Sequence, residues 1–93
     1  MSGHVFHPGH HELHGVTVVL DAGATLWVGR FDSVTPKGLL LHDAGAYREG
    51  VSAGTREEFL RRTLKFGVRV EQKHVVVAEA EVRGVRRLME AGT

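Results

Sequence analysis

The chain reads as a mainly β domain with one inserted helix at about residues 55–66, and three observations predict it. Short apolar runs with period-two alternation recur from Val16 to Tyr47 and again from Val68 to Leu88. Gly, Pro and Asp separate these runs at turn spacing. Only the stretch from Thr55 to Phe66 pairs a helix start signal with apolar residues at helical period.

Met1 to Gly15 is rich in histidine and broken by Pro8 and Gly9. It can hold at most one helical turn, with Pro8 at its first position and Gly15 past its end, or it can be a loose arm. Val16, Val18 and Leu20 then alternate with Thr17 and Val19, which predicts a strand of about five residues. Asp21-Ala22-Gly23 supplies turn chemistry. From Thr25 to Phe31, Leu26, Val28 and Arg30 share one face while Trp27, Gly29 and Phe31 share the other. Gly29 inside this run marks a bulge, a bend or a close backbone approach. Asp32 to Gly38 reads as a loop, because Pro36 cannot donate a ladder bond and Gly38 is conformationally free. Leu39-Leu40-Leu41-His42 opens a third strand that continues through Ala46-Tyr47. Short connections between three strands predict an antiparallel sheet.

Thr55-Arg56-Glu57-Glu58 is a capping box, with Thr55 as N-cap. Phe59, Leu60, Thr63 and Leu64 fall on one helix face, and Gly67 supplies the stop. The preceding stretch, Arg48 to Gly54, reads as a surface loop. Val68 and Val70 reopen the β pattern, His74 to Ala78 reads as a buried strand, and Ala78 to Glu81 as a tight turn. The segment 82–88 is strand or short helix. Gly84 and two valines favour strand. The resulting organisation is a His-rich N-terminal arm (1–14), one small domain (15–88) and a frayed C-terminus (89–93).

Ninety-three residues make a single domain with one modest core. With 42% hydrophobic and 25% charged residues, the composition is that of a folded domain. A formal charge of +1 gives no whole-molecule steering toward nucleic acid. No apolar run is long enough to span a membrane, and Met1 to His7 lacks the basic and apolar regions of a secretory signal. Zero cysteines exclude disulfides, thiolate metal sites and thiol nucleophiles, and together these features predict a cytoplasmic protein. The absence of Asn and Ile fits either a thermophilic source or G+C-rich coding.

Two strands, a loop containing Asp32, and then Gly38-Leu39-Leu40-Leu41-His42-Asp43-Ala44 resemble the first motif of the Sm-like proteins. Val75-Val76-Val77, a tight turn and Val82-Arg83-Gly84-Val85 look like their second motif. The resemblance runs from about Gly15 to Leu88, with the helix as an insertion. It implies a small, strongly bent five-stranded antiparallel barrel of the Sm-like kind, assembly into rings and RNA binding. The family's RNA-contacting loop places an Asn shortly after an Asp, and this chain has no Asn. Its second motif carries Arg-Gly where this sequence has Ala78-Glu79, and a carboxylate there repels phosphate. The resemblance therefore implies the barrel while bringing no RNA-contacting residue with it.

The His cluster carries the most metal-like spacing. His7, His10, His11 and His14 stand at i, i+3 and i, i+4 intervals, and neutral imidazole suits Zn or Ni. Against this stands a plain solvated arm. His11-Glu12-Leu13-His14 is one residue short of the zincin motif. His42, beside Asp43 and with Asp32 upstream, and His74 are the remaining acid–base candidates, although a half-buried, backbone-satisfied histidine has the same signature. Ser33 and Ser52 lack nucleophile-elbow context, and no phosphate loop exists. Arg61, Arg62 and Lys65 on the helix, with Arg86 and Arg87 further on, form a basic stripe if an oligomer aligns them. They sit among glutamates as a solvated face would. Trp27, Phe31 and Tyr47 can stack bases, but strand aromatics also build cores.

The sequence thus predicts a non-enzymatic β domain acting through homo-oligomerisation or a protein partner. One alternative is an RNA-binding Sm-like protein using the arginine stripe. Another is a metal-binding or metal-sensing protein using the His cluster.

Overall fold

Five strands form one antiparallel sheet in the order β4-β3-β2-β1-β5, from β1 (Thr17–Ala22), β2 (Thr25–Thr35), β3 (Gly38–Arg48), β4 (Gln72–Val77) and β5 (Gly84–Arg87). The computed structural model describes residues 13–91, so His7, His10 and His11 lie outside the described residues. Between β3 and β4 the chain inserts helix α1 (Arg56–Phe66), and after β5 it makes one further turn of helix, α2 (Leu88–Ala91). The edge strands β4 and β5 are not hydrogen-bonded to each other.

The sheet is apolar on both faces, and alternation along the strands fills each. Val18 and Leu20 of β1, Phe31 of β2, Leu39, Leu41 and Ala44 of β3, and Val77 of β4 make one buried cluster, with Val82 and Val85 packed against it. Val19, Leu26, Val28 and Tyr47 make a second cluster on the opposite face. That face is covered by α1, whose Leu60 is buried there with Phe59 beside it. Leu88 also packs on this cluster, which explains why α2 forms where the sequence reads as the start of a fraying end.

The β2–β3 ladder shifts register twice. Val28 pairs with Gly45 and Arg30 with His42, so β3 holds one residue more than β2 across this interval. Asp43 takes the strain with φ of 51°, a conformation that Asp tolerates better than most side chains. Gly29 lies opposite, where an added Cβ would stand 3.0 Å from Ala44 Cβ, so the bulge reading of Gly29 holds. One step on, Phe31 pairs with Leu41 but Ser33 with Leu40, which makes Asp32 the extra residue of β2.

The segment read as a loop from Asp32 to Gly38 is mostly strand. β2 runs on to Thr35, and Pro36-Lys37 alone make the turn. Thr35 Oγ1 accepts from the amides of Lys37 and Gly38, which substitutes for ladder bonds that Pro36 cannot make. Gly38 has φ of 144°, and any side chain there would run into the Val77 carbonyl. β4 corrects the expectation of a buried strand. It is an edge strand in which Val77 alone is buried and Val76 is 44% exposed. Ala78 to Glu81 turns as expected, with a 3-10 turn at Glu79–Glu81. The favoured strand reading of 82–88 holds for Gly84–Arg87.

Helix α1 starts and stops as its sequence dictates. Thr55 Oγ1 accepts from the Glu58 amide and Glu58 Oε1 accepts from the Thr55 amide, completing the capping box. Gly67, at φ of 89°, returns its amide to the Thr63 carbonyl. Tyr47 Oη donates to the Gly54 carbonyl at 2.7 Å and pins the loop before the helix to the sheet. Leu60 and Thr63 are the buried positions, whereas Leu64 and Phe66 are exposed.

Because Leu60 is the helix residue most deeply set in the second cluster, Leu60→Ala is expected to cost about 2–5 kcal/mol. Leu64→Ala should cost less than about 1 kcal/mol, since its side chain is partly solvated already. Denaturant unfolding of the two variants checks the difference.

Candidate functional site

Adjacent strands β2, β3 and β4 bring together polar residues that are far apart in sequence. His42 of β3 and His74 of β4 are direct cross-strand partners. Their rings meet edge to face, with centroids 4.6 Å apart and planes at 86°. Leu41 and Val77 point into the first cluster, so alternation places His42 and His74 on the opposite face. His42 Nε2 stands 3.4 Å from Asp32 Oδ1. The second carboxylate oxygen of Asp32 accepts from Ser33 Oγ at 2.9 Å. His14 joins through the backbone, its Nδ1–H donating to the Asp32 carbonyl at 2.6 Å.

Phe31 points into the first cluster, so ordinary alternation puts Asp32 on the face that carries His42. The register shift at Asp32 lies beside the pair, and the carboxylate reaches the neighbouring strand at His42. Of the two carboxylates considered for His42, Asp32 holds the position. Asp43 instead pairs with Arg30 at 3.2 Å. The sequence pointed to His42, with Asp32 or Asp43 as its carboxylate, and to His74 and His14 separately; what it did not show is that His74 and His14 join His42 and Asp32 in one group.

The opposite end of the sheet holds a groove of about 850 Å³ between the start of α1 and strands β1 and β5. Asp21, Tyr47, Glu49, Arg56, Glu57 and Arg86 are among its lining residues. Arg56 is the organising charge. It reaches Glu49 at 2.9 Å and Asp21 at 3.5 Å, and it donates to the Gly23 carbonyl. An anion entering here would have to compete with three existing partners. Sequence reasoning did not single out Arg56, because nothing in a capping box signals a long-range bridge.

The expected basic stripe is divided within one chain. Arg61, Arg62 and Lys65 line a shallow groove with Glu58 and Phe66. Arg86 lines the larger groove, and Arg87 stands 4.0 Å from Glu90. Glutamates accompany both sets. Of the aromatic side chains, Phe31 and Tyr47 are buried, and Trp27 is partly covered with the Arg48 guanidinium 5.6 Å from its ring centre. Ser33 and Ser52 serve structure: Ser33 Oγ donates to Asp32, and Ser52 Oγ accepts from the Arg48 amide.

Among the described residues, no helix is long and apolar enough to cross a membrane. No family model matches the chain. No curated protein sequence matches it either.

With its arginines split between two surfaces and interleaved with acids, the protein is expected to bind single-stranded RNA no tighter than the non-specific range, about 10⁻⁴ to 10⁻⁶ M at physiological salt. Fluorescence anisotropy with labelled oligonucleotides at about 150 mM salt checks this, and a sub-micromolar Kd would contradict it.

Proposed function

We propose that this chain is a non-enzymatic, self-associating β domain, a barrel of the Sm-like kind left open between β4 and β5. The carrying observation is that both outer strands of the sheet, β4 and β5, present an unpaired edge among the described residues. An open edge is a row of free amide and carbonyl groups ready to template another strand. Pairing β4 of one copy with β5 of the next is heterologous, and such contacts close into rings when the rotation permits.

Two features support the curvature this reading needs. In a flat sheet β4 and β5 would stand about 19 Å apart at the usual strand spacing. Yet Val77 of β4 and Val85 of β5 belong to one apolar cluster. The link between these strands is short and includes the 3-10 turn at Glu79–Glu81. Its far end is fixed by the Arg83 amide, which donates to the Asp21 carbonyl at 2.7 Å. The exposed face of β4 adds Val76, an apolar group in the contact zone.

Light scattering at about 100 μM, where mass action favours association, should therefore report an oligomer. Val76→Lys, which puts a charge on the exposed face of β4, should shift the population toward a monomer that keeps its folded circular dichroism spectrum. A wild-type monomer at that concentration would overturn the proposal.

A further inference from the structure

We propose that His42 and His74 form a two-imidazole site for a divalent transition metal of the Zn, Ni or Cu class, on the α1-bearing face of the sheet. The site is separate from the His-rich segment that precedes His14.

The argument begins with the scaffold. Direct cross-strand partners hold their Cβ atoms about 4.5–5.5 Å apart on one face, a spacing set by the ladder and not by side-chain choice. His42 and His74 are such partners, and their rings are already in contact. Ligands on strands lose less freedom on binding than ligands on a loose segment.

Next comes the orientation of the ring. Metal-bound histidines usually present their other ring nitrogen to a carboxylate, which selects the tautomer and raises ligand basicity. Asp32 Oδ1 stands 3.4 Å from His42 Nε2, which places the carboxylate to orient that nitrogen when a metal takes Nδ1. Asp32 is itself held, by Ser33 through its side chain and by His14 through its carbonyl. This is the supporting layer that a bare pair of histidines lacks.

The surroundings allow a cation to enter. The His42 side chain is 28% exposed and His74 is exposed at the sheet edge. The nearby guanidinium of Arg30, on the strand paired with His42, is engaged by Asp43 at 3.2 Å. Among the described residues, no three imidazole or carboxylate groups converge on one point. The protein thus supplies two ligands and water completes the shell. Imidazole donors favour Zn, Ni and Cu over the hard, oxygen-seeking Mg and Ca.

The test separates this site from the histidines at positions 4, 7, 10 and 11. Zn²⁺ is titrated calorimetrically into the wild-type chain and into the H4Q/H7Q/H10Q/H11Q variant. The variant should keep one binding event per chain. Adding His42→Gln or His74→Gln to it should remove that event. Adding Asp32→Asn should weaken it by about 10–100-fold, the range for loss of an orienting carboxylate. A variant that binds no Zn²⁺, or one whose affinity survives His74→Gln, overturns the proposal. Should His42→Gln fail to fold, Cu²⁺ broadening of amide resonances in the wild-type chain decides the matter. Broadening centred on residues 42 and 74 supports the site, and broadening confined to residues 4–11 overturns it.

Discussion

A single extra residue in β3 determines what each face of the sheet can do. Before the shift, Leu39 and Leu41 point into the first cluster. After Asp43, the positions that point there are even-numbered, beginning with Ala44. Tyr47 is thereby delivered to the opposite face, where it meets Leu60 of the helix and, through its hydroxyl, the loop that leads into it. A regular strand would aim Tyr47 into the interior and leave the helix without its aromatic seat, because a one-residue slip exchanges the two faces of everything that follows. The left-handed backbone at Asp43 is the local cost, and the helix packing depends on it.

The neighbouring shift falls at Asp32. Phe31 just before it stays in the core, and Asp32 on the other face meets His42 at 3.4 Å. Polar chemistry on the outside and close packing on the inside thus share one irregular stretch of β2 and β3. Both register shifts lie in the pairing of the two longest strands, of 11 residues each, which carry Phe31, Leu39, Leu41 and Ala44 of the first cluster. Bulges strengthen local twist, so the twist of β2 and β3 and the polar group beside them meet in one stretch of the ladder.

Much of this fold is legible in the sequence, for identifiable reasons. The capping box at Thr55–Glu58, the stop at Gly67 and the alternation in β1 and β2 are local signals, and the structure realises each of them. The true length of β2 was not legible, because Thr35 replaces the ladder bonds missing at Pro36 with side-chain bonds that no periodicity reveals. Nor was the edge position of β4. Val75-Val76-Val77 reads as buried on either side, and only the strand order shows that one side has no neighbour. The Asp32 partner of His42 was one of two carboxylates the sequence offered, but the addition of His14 and His74 to that pair was hidden for a similar reason. The group joins three strands and the residue before them through contacts that no spacing in the chain encodes.

The placement of β5 beside β1 also bears on how the chain must be made. Val18 pairs with Arg87 and Asp21 with Gly84, so one side of β1 waits for a partner until nearly the whole domain has left the ribosome. β1, β2 and β3 meet through successive short turns and can pair during synthesis, with α1 following to cover the face they offer. Closing the β1–β5 ladder requires the chain to bridge everything in between, the costliest loop in the domain. Until then a nascent chain exposes Val18 and Leu20 beside an unpaired strand edge, and the order of translation makes that interval unavoidable.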